Sequence, residues 1–387
     1  MGFRGFLGLR IGAALTVTML AAGCGSGGSV GSQAGTSGRG TGVWSQLPAA
    51  PLGARYEAGG VWVNGRFIIL GGWSSPICPP NADCAAPEGS ALRDGASFDP
   101  VAGRWSRIAD APVPVARTNV MTAGNQVYVL TADQGRADSP VVFLSYDPEQ
   151  DRWATHPLPP AWGTLVAAGS SVLAISGSDE GTGAVDAVFN LKTNKWQRLP
   201  DDPLGPSYDR SAIWVNGTLL LAAKDLVANP GAIAPSVVRL ARLDGSLSRW
   251  TTLPDSRIIG SGPVGVGTHA VWPEPGSADG GAVGNWGESY SEGGILDTTS
   301  GTWQALPRPP GKPALDCCAT VVGQRLLVGG QLLDPATRRW TRIPSLPKPE
   351  RWSPTVVGSP DTLLVWGGAK SGRRPENLAT GYLLRLG

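Results

Sequence analysis

The chain has 387 residues, with 32 Lys and Arg against 30 Asp and Glu, 55 Gly, 34 Pro, 15 Trp and two His. Its near-neutral balance, with only 16% of residues charged, argues against a nucleic-acid partner, which needs clustered Lys and Arg to neutralise phosphates. Gly and Pro at this density, among Trp and β-branched runs, predict an all-β chain rich in turns, with no convincing amphipathic helix.

Residues 1–23 are expected to be an export signal rather than part of the fold. Arg4 and Arg10 make a basic start, and Ile11 to Gly23 is an apolar run of 13 residues, too short for a permanent membrane helix. The run ends Leu20-Ala21-Ala22-Gly23-Cys24, with Ala21 three residues before the cysteine. This resembles the lipobox of bacterial lipoproteins, where Leu is the most usual residue at the Ala21 place. The resemblance implies cleavage before Cys24, a lipidated (palmitate-type) Cys24, and an exported protein anchored to the bacterial cell membrane. Residues 24–42 then read as the lipidated cysteine and a Gly/Ser tether with nothing to bury. Removal of 1–23 leaves 30 basic against 30 acidic residues. No other apolar run reaches the length of a span.

The body, 43–387, is organised on a repeated hairpin. Trp44-Ser45-Gln46-Leu47-Pro48 stands alone at its start. Then come Phe98-Asp99-Pro100 to Trp105, Tyr146-Asp147-Pro148 to Trp153, and Asn190-Leu191-Lys192-Thr193 to Trp196. Leu243 to Trp250, Leu296 to Trp303 and Leu333-Asp334-Pro335 to Trp340 follow. Asp-Pro opens a tight turn, because Pro fixes φ and the Asp side chain bonds the backbone ahead of it. Trp44, Trp105, Trp153, Trp196, Trp250, Trp303 and Trp340 thus recur about every 49 residues, within the range of a propeller-type repeat. They read as blade core. Each can bury roughly 150–250 Å², an upper bound of about 4–6 kcal/mol per site.

Before each hairpin stands a strand, a tight turn and a second strand. Gly60-Val61-Trp62-Val63-Asn64-Gly65-Arg66-Phe67-Ile68-Ile69-Leu70-Gly71-Gly72 is the clearest copy, its Asn-Gly being a strong hairpin signal. The frame returns at Val120 to Leu130, Leu165 to Ile175, Ala212 to Leu221, Val264 to Trp272, Ala319 to Gly330 and Thr355 to Gly368. Four strands per unit and seven units resemble the kelch β-propeller of kelch-repeat proteins and of the galactose oxidase central domain. The resemblance implies a seven-bladed kelch-type propeller of four-stranded antiparallel blades over 43–387. Leu191-Lys192-Thr193 departs from it by replacing Asp-Pro, and several units lack Gly-Gly. The last unit has no hairpin Trp, so the Thr41 to Leu47 strand is expected to close it and cover both edges.

With strands named a to d from the axis outward, the a–b and c–d turns are tight. The long excursions are b–c loops: Trp73 to Ala96, Lys224 to Ser236 and Pro273 to Gly293. Antiparallel order places them on the face of the d–a connections, so one face is elaborate and the other plain, and function is expected on the elaborate one. Counting back from the a–b turns puts Arg55, Glu57, Arg117, Trp162, Arg210, Arg257, Asp316, Cys317 and Arg351 near the inner-strand starts. Of these, Arg55, Glu57, Arg117, Trp162, Arg210, Asp316 and Arg351 form the candidate binding set. Recurring arginines there suit an anionic ligand held by bidentate pairing. The kelch resemblance equally implies arginines that bond loop carbonyls.

Cys78 and Cys84 sit in the longest loop and are expected to form a disulfide. Cys317 and Cys318 are adjacent and could form a strained vicinal disulfide, bridge elsewhere or stay free. His156 and His269 do not converge, and a galactose oxidase-type copper site cannot be assembled. No Ser–His–Asp order, P-loop or dinucleotide fingerprint is present. No metal and no cofactor is therefore expected, and no catalytic residue is assigned. Glu57, Glu274, Asp279, Glu288, Glu292 and Asp316 could do acid–base work on the elaborate face, although solvated loop charge is their ordinary role. The expected function is that of a monomeric, membrane-anchored propeller that binds a protein or glycan partner of the cell envelope. The alternative is a carbohydrate-active enzyme, like the kelch-fold sugar epimerases or a glycosidase, using Arg and carboxylates at the central mouth.

Overall fold

The computed structural model describes residues 38–39, 42–78, 87, 89–116, 119–132, 140–160, 163–178, 185–225, 238–254, 256, 258, 262–273, 293–311, 319–370 and 375–386, all within the compact unit Ala34–Gly387. These residues form strands and turns, with no helix. Seven antiparallel sheets follow in chain order, each a blade. Blade 1 is Gly59–Val63, Arg66–Leu70, Gly95–Asp99 and Arg104–Ile108; blade 2 is Asn119–Ala123, Gln126–Thr131, Val142–Asp147 and Arg152–His156. Blade 3 is Gly163–Ala168, Ser171–Ser176, Ala187–Asn190 and Lys195–Arg198; blade 4 is Ser207–Val215, Thr218–Asp225, Arg239–Leu243 and Trp250–Thr252. Blade 5 is Val264–Val266, His269–Trp272, Gly294–Asp297 and Thr302–Ala305; blade 6 is Thr320–Val322, Arg325–Val328, Gln331–Asp334 and Arg339–Arg342. Blade 7 is Thr355–Gly358, Thr362–Trp366 and Gly381–Arg385, with the N-terminal Trp44–Gln46 as its outermost strand. The fold is a seven-bladed β-propeller sealed by its own first strand.

A blade is buried on both faces, so its middle strands read as continuous apolar runs rather than alternating ones. Arg66–Leu70 shows how the period of two still works. Phe67 and Ile69 enter the core shared with blade 7, while Ile68 and Leu70 enter the core shared with blade 2. The propeller has no single centre. Seven separate apolar clusters fill the seven joints between neighbouring blades, and each contains one of the recurring tryptophans.

The c–d hairpins explain the repeat. Asp99, Asp147, Asn190, Asp297 and Asp334 each accept the backbone N–H groups two and three residues ahead, at 2.8–3.3 Å. The apparent departure at Leu191-Lys192-Thr193 is thereby corrected: Asn190 stands where the other units carry Asp and makes the same bonds. Proline at the next position is optional, because the side-chain oxygen already folds the turn.

Only Trp340 is fully buried; the other six tryptophans of the set lie half-buried at the start of the outer strand. Their bonds matter as much as their area. The indole N–H of Trp105 donates to the carbonyl of Pro48, Trp153 to Ala109, Trp196 to Pro157, Trp250 to Pro200, Trp340 to Pro307 and Trp44 to Pro344, at 2.7–3.1 Å. Each acceptor lies four residues beyond the tryptophan of the preceding blade. One motif, Trp-x-x-apolar-Pro in most units, supplies both the donor for one joint and the acceptor for the next.

The tether differs from expectation at its end. Gly38–Arg39 runs parallel to Arg339–Arg342 as a fifth strand on blade 6, pairing with Thr341 and Arg342. It covers the outer edge of that blade, which would otherwise offer unpaired backbone groups.

The joints give a comparison. Trp153→Phe and Trp303→Phe remove the same part of the ring, but only Trp153 donates across its joint among the described residues. Urea unfolding is expected to show Trp153→Phe as the more destabilising by about 1 kcal/mol, the net worth of one hydrogen bond. Equal losses would mean that the bond contributes nothing.

Candidate functional site

The a–b turns are two residues long in blades 1 to 6 and three in blade 7. Asn64-Gly65 and Asn216-Gly217 hold positive φ at both central positions, the hairpin geometry that Asn-Gly favours. The b–c connections on the opposite face run to 24 residues in blade 1, over 71–94, and to 21 in blade 5, over 273–293. The blade 4 connection begins at 226, not at Lys224, because the inner hairpin there is extended to Asp225.

Over blades 7 and 1 the elaborate face carries structure of its own. Arg351–Trp352, Ala369–Lys370 and Glu376–Asn377 form a small separate sheet. Beside it Tyr56, Trp73, Ala91, Ala116 and Ala369 make an eighth apolar cluster. Asn377 Nδ2 donates to the carbonyls of Ser74 and Ser75 at 3.1 and 2.8 Å, stitching the b–c loop of blade 7 to that of blade 1. Gly71 and Gly72 end the second strand with φ of 57° and 95°. A side chain at Gly71 would strike the Val115 carbonyl, and the Gly72 N–H donates to that carbonyl at 2.7 Å. Glycine is therefore required where the entry to the next blade passes over the strand end.

Three arginines of the candidate set are described, and the fold uses all three. Arg55 is 2% exposed. It forks onto both Asp94 oxygens at 2.6 and 2.9 Å, and donates to the carbonyls of Gly71 and Gly53 at 3.1 and 2.9 Å. Arg210 pairs with Asp186 at 2.6 Å and Asp202 at 3.0 Å, and donates to the Ser176 carbonyl at 3.1 Å. Arg351 donates to the Gly367 and Thr380 carbonyls at 2.7 and 2.8 Å and to Thr380 Oγ1 at 2.8 Å, lying over the Tyr382 ring. Burial draws its pKa below the ordinary arginine value.

The three share one socket: the carbonyl at the end of a second strand, and the residue immediately before a third strand. That last residue is Asp94, Asp186 or Thr380. Arginine suits the socket because its rigid fork reaches a carbonyl and a carboxylate together. The guanidinium groups of Arg55, Arg210 and Arg351 are thus bonded within the fold, although Arg351 Nε has no hydrogen-bond partner among the described residues. The socket partners were hidden from sequence reading, although an Asp just ahead of the third strand was their signal.

Glu57 is half-buried at φ 51°, its N–H donating to the Ser353 carbonyl at 3.1 Å. Arg117, Trp162, Arg257, Asp316, Glu274, Asp279, Glu288 and Glu292 lie outside the described residues, as do Cys24, Cys84, Cys317 and Cys318. Cys78 is disulfide-bonded. His156 bonds Ser145 and Asn194, each at 2.7 Å, among the rings of Phe143 and Phe189. His269 touches Thr268 in blade 5. Among the described residues no His, Cys, Asp and Glu group could hold a metal ion.

One charged group at an inner-strand start escaped the sequence reading. The first strand of blade 4 bulges between Tyr208 and Ser211, with Asp209 at φ 48°. Lys224, buried at the end of the second strand, pairs with Asp209 at 2.9 Å beside the Tyr208 ring, while Asp209 remains a third exposed. A bulge re-aims side chains in this way. The group gives the elaborate face a polar element near the axis that a partner can meet through Asp209.

No family model matches the chain. It is 26% identical over 163 residues to Kelch-like protein 25 of Xenopus tropicalis, a match covering 41% of this chain and 26% of that protein. It is 22% identical over 205 residues to Kelch-like protein terF of Aspergillus terreus, covering 48% of this chain and 43% of that one. The chain thus spans less than half the length of these curated relatives. A solved structure titled "Structure of YjhT" aligns with 87% of this chain and 96% of its own, at 13% identity and a TM-score of 0.41. The propeller is of kelch type.

The Arg55 socket makes stability depend on pH. The hydrogen bonds from Arg55 hold the Asp94 carboxyl below its ordinary pKa of 3.8. A lowered pKa contributes stability above the ordinary value that is lost as pH falls through the lowered one. Asp94→Asn is expected to cost about 2 kcal/mol at neutral pH. In urea unfolding the gap between parent and variant is expected to shrink as pH falls below the ordinary carboxyl value of 3.8 and through the lowered one; a constant gap would show that the charge of Asp94 is irrelevant.

Proposed function

We propose that the chain is a binding module: an exported kelch-type propeller, anchored to the membrane through a lipidated Cys24, that takes a protein partner on its loop-rich face. The observation that carries this reading is the asymmetry of the two faces. One side consists of two- and three-residue a–b turns and short c–d hairpins, while the other bears connections of up to 24 residues. A rigid body with elaboration on one side is the usual arrangement for recognition loops. That side also offers an aromatic anchor, since Trp352, in the small sheet over blades 7 and 1, is 36% exposed. Exposed tryptophans are favoured centres of protein interfaces. The membrane reading rests on Leu20-Ala21-Ala22-Gly23-Cys24 and the Gly/Ser stretch behind it.

A photo-crosslinking residue at Trp352 is expected to capture a partner in cells, while the same residue at Val101, 94% exposed in a c–d turn of the plain face, captures none. Capture from Val101 alone, or equally from both, would reject the assignment of faces; a glycan adduct at Trp352 would keep the face and change the partner. Cys24→Ser is expected to move the protein from the membrane fraction to the soluble fraction and to abolish labelling by an alkyne fatty acid. Unchanged labelling would remove the lipid anchor from the proposal.

A further inference from the structure

Six of the seven joints between blades are closed at the rim by the same indole-to-carbonyl bond. The joint between blades 4 and 5 is the exception, although its motif is intact. Trp250-Thr251-Thr252-Leu253-Pro254 provides the acceptor and Trp303 the donor. No hydrogen bond joins Trp303 Nε1 to any described residue. A crevice of about 170 Å³ occupies the joint, with Pro254 and Trp303 both in its lining. Its apolar part is made by Leu220, Leu240, Leu253 and Leu296. Arg242 is the one charged residue of the lining, half-buried on the third strand of blade 4. No ion pair or hydrogen bond engages its guanidinium among the described residues.

These groups specify a ligand. Leu220, Leu240 and Leu296 are at most 2% exposed at the floor, so the reachable apolar wall is Leu253 and the Trp303 ring, which suit a small apolar body. A lone half-buried guanidinium with no acid in the lining favours a carboxylate, which it can hold with charge-assisted bonds. The indole N–H is a further donor, and the Pro254 carbonyl, which accepts no hydrogen bond among the described residues, can take an N–H. An apolar residue with a free carboxylate and an acylated amine carries all of these together. We propose that the crevice between blades 4 and 5 binds such a group: the C-terminal residue of a peptide or a free N-acyl amino acid. The site lies in a blade joint, beside the c–d turn Thr298 to Gly301 of blade 5, and is independent of the loop-rich face.

Calorimetric titration of the full chain tests it with N-acetyl-L-leucine, N-acetyl-L-leucinamide and a pentapeptide of four alanines ending in leucine. The free acid is expected to bind saturably, and the amide at least tenfold more weakly. Arg242→Met is expected to weaken the acid at least tenfold and leave the amide unchanged, and Trp303→Phe to weaken both. Tighter binding of the pentapeptide than of the acetylated residue assigns the site to peptide ends; equal binding assigns it to free acids. No binding by either acid, acid and amide binding alike, or unchanged acid binding by folded Arg242→Met overturns the proposal. The acid and amide comparison uses the parent chain, so it stands even where a variant fails to fold.

Discussion

The structure depends on a tryptophan at the head of six of the seven outer strands giving its indole N–H to a backbone carbonyl of the blade before it. A single bond of this kind contributes about 1 kcal/mol net, far less than the apolar area buried beside it. Its value is geometric. The acceptor lies a fixed four residues beyond the neighbouring tryptophan, so each bond sets the spacing of two blades and passes the register on. Propellers have no common core to do this, since each blade meets only its neighbours. The last bond in the series, Trp44 to Pro344, spans 300 residues and turns an array into a ring.

Chemistry is left little room by this arrangement. Apart from the crevice between blades 4 and 5, the joints are filled by apolar side chains, and the central strands are buried on both sides. Charged groups that enter the body are absorbed by it: Arg55, Arg210 and Arg351 each fill a socket at the end of a second strand and stiffen the root of a long loop. The roots of the b–c connections in blades 1, 3 and 7 are held in this way. A scaffold of this type can change what it recognises without changing how it stands. The group formed by Asp209 and Lys224 on a bulged inner strand shows how a small backbone irregularity presents charge near the axis.

Much of the fold was legible in the sequence because its signals are local. Asn64-Gly65 dictates its own turn, Asp99 and Asp334 fold the residues directly ahead of them, and Trp340 alternates into a joint by the strand period. Asn190 was misread only because the proline beside it is missing, although the side chain, not the ring, makes the turn. The arginine sockets were legible on one side alone. Arg55 and Asp94 are 39 residues apart, Arg210 and Asp186 are 24 apart, and loops of unequal length separate them, so no spacing rule connects the partners. The strand Gly38–Arg39 was invisible, since a Gly/Ser stretch carries no apolar pattern and its pairing uses backbone groups only. The open joint between blades 4 and 5 was hidden by an intact motif: Trp250 to Pro254 and Trp303 read like every other copy, and only their placement shows that donor and acceptor do not meet.

The seal of blade 7 carries a consequence for how the chain matures. Ser45 on the strand Trp44–Gln46 faces Leu383 on Gly381–Arg385, 338 residues downstream. During synthesis Trp44–Gln46 emerges with no sheet to join, and it must wait for Gly381–Arg385. Each intermediate length is an open arc with a bare flank, and contacts of such high sequence separation form slowly. A ribosome that stops short, or a protease that trims the tail, leaves an arc that no later event can shut. Closure of this molecule therefore turns on one late event, the meeting of Trp44–Gln46 with Gly381–Arg385.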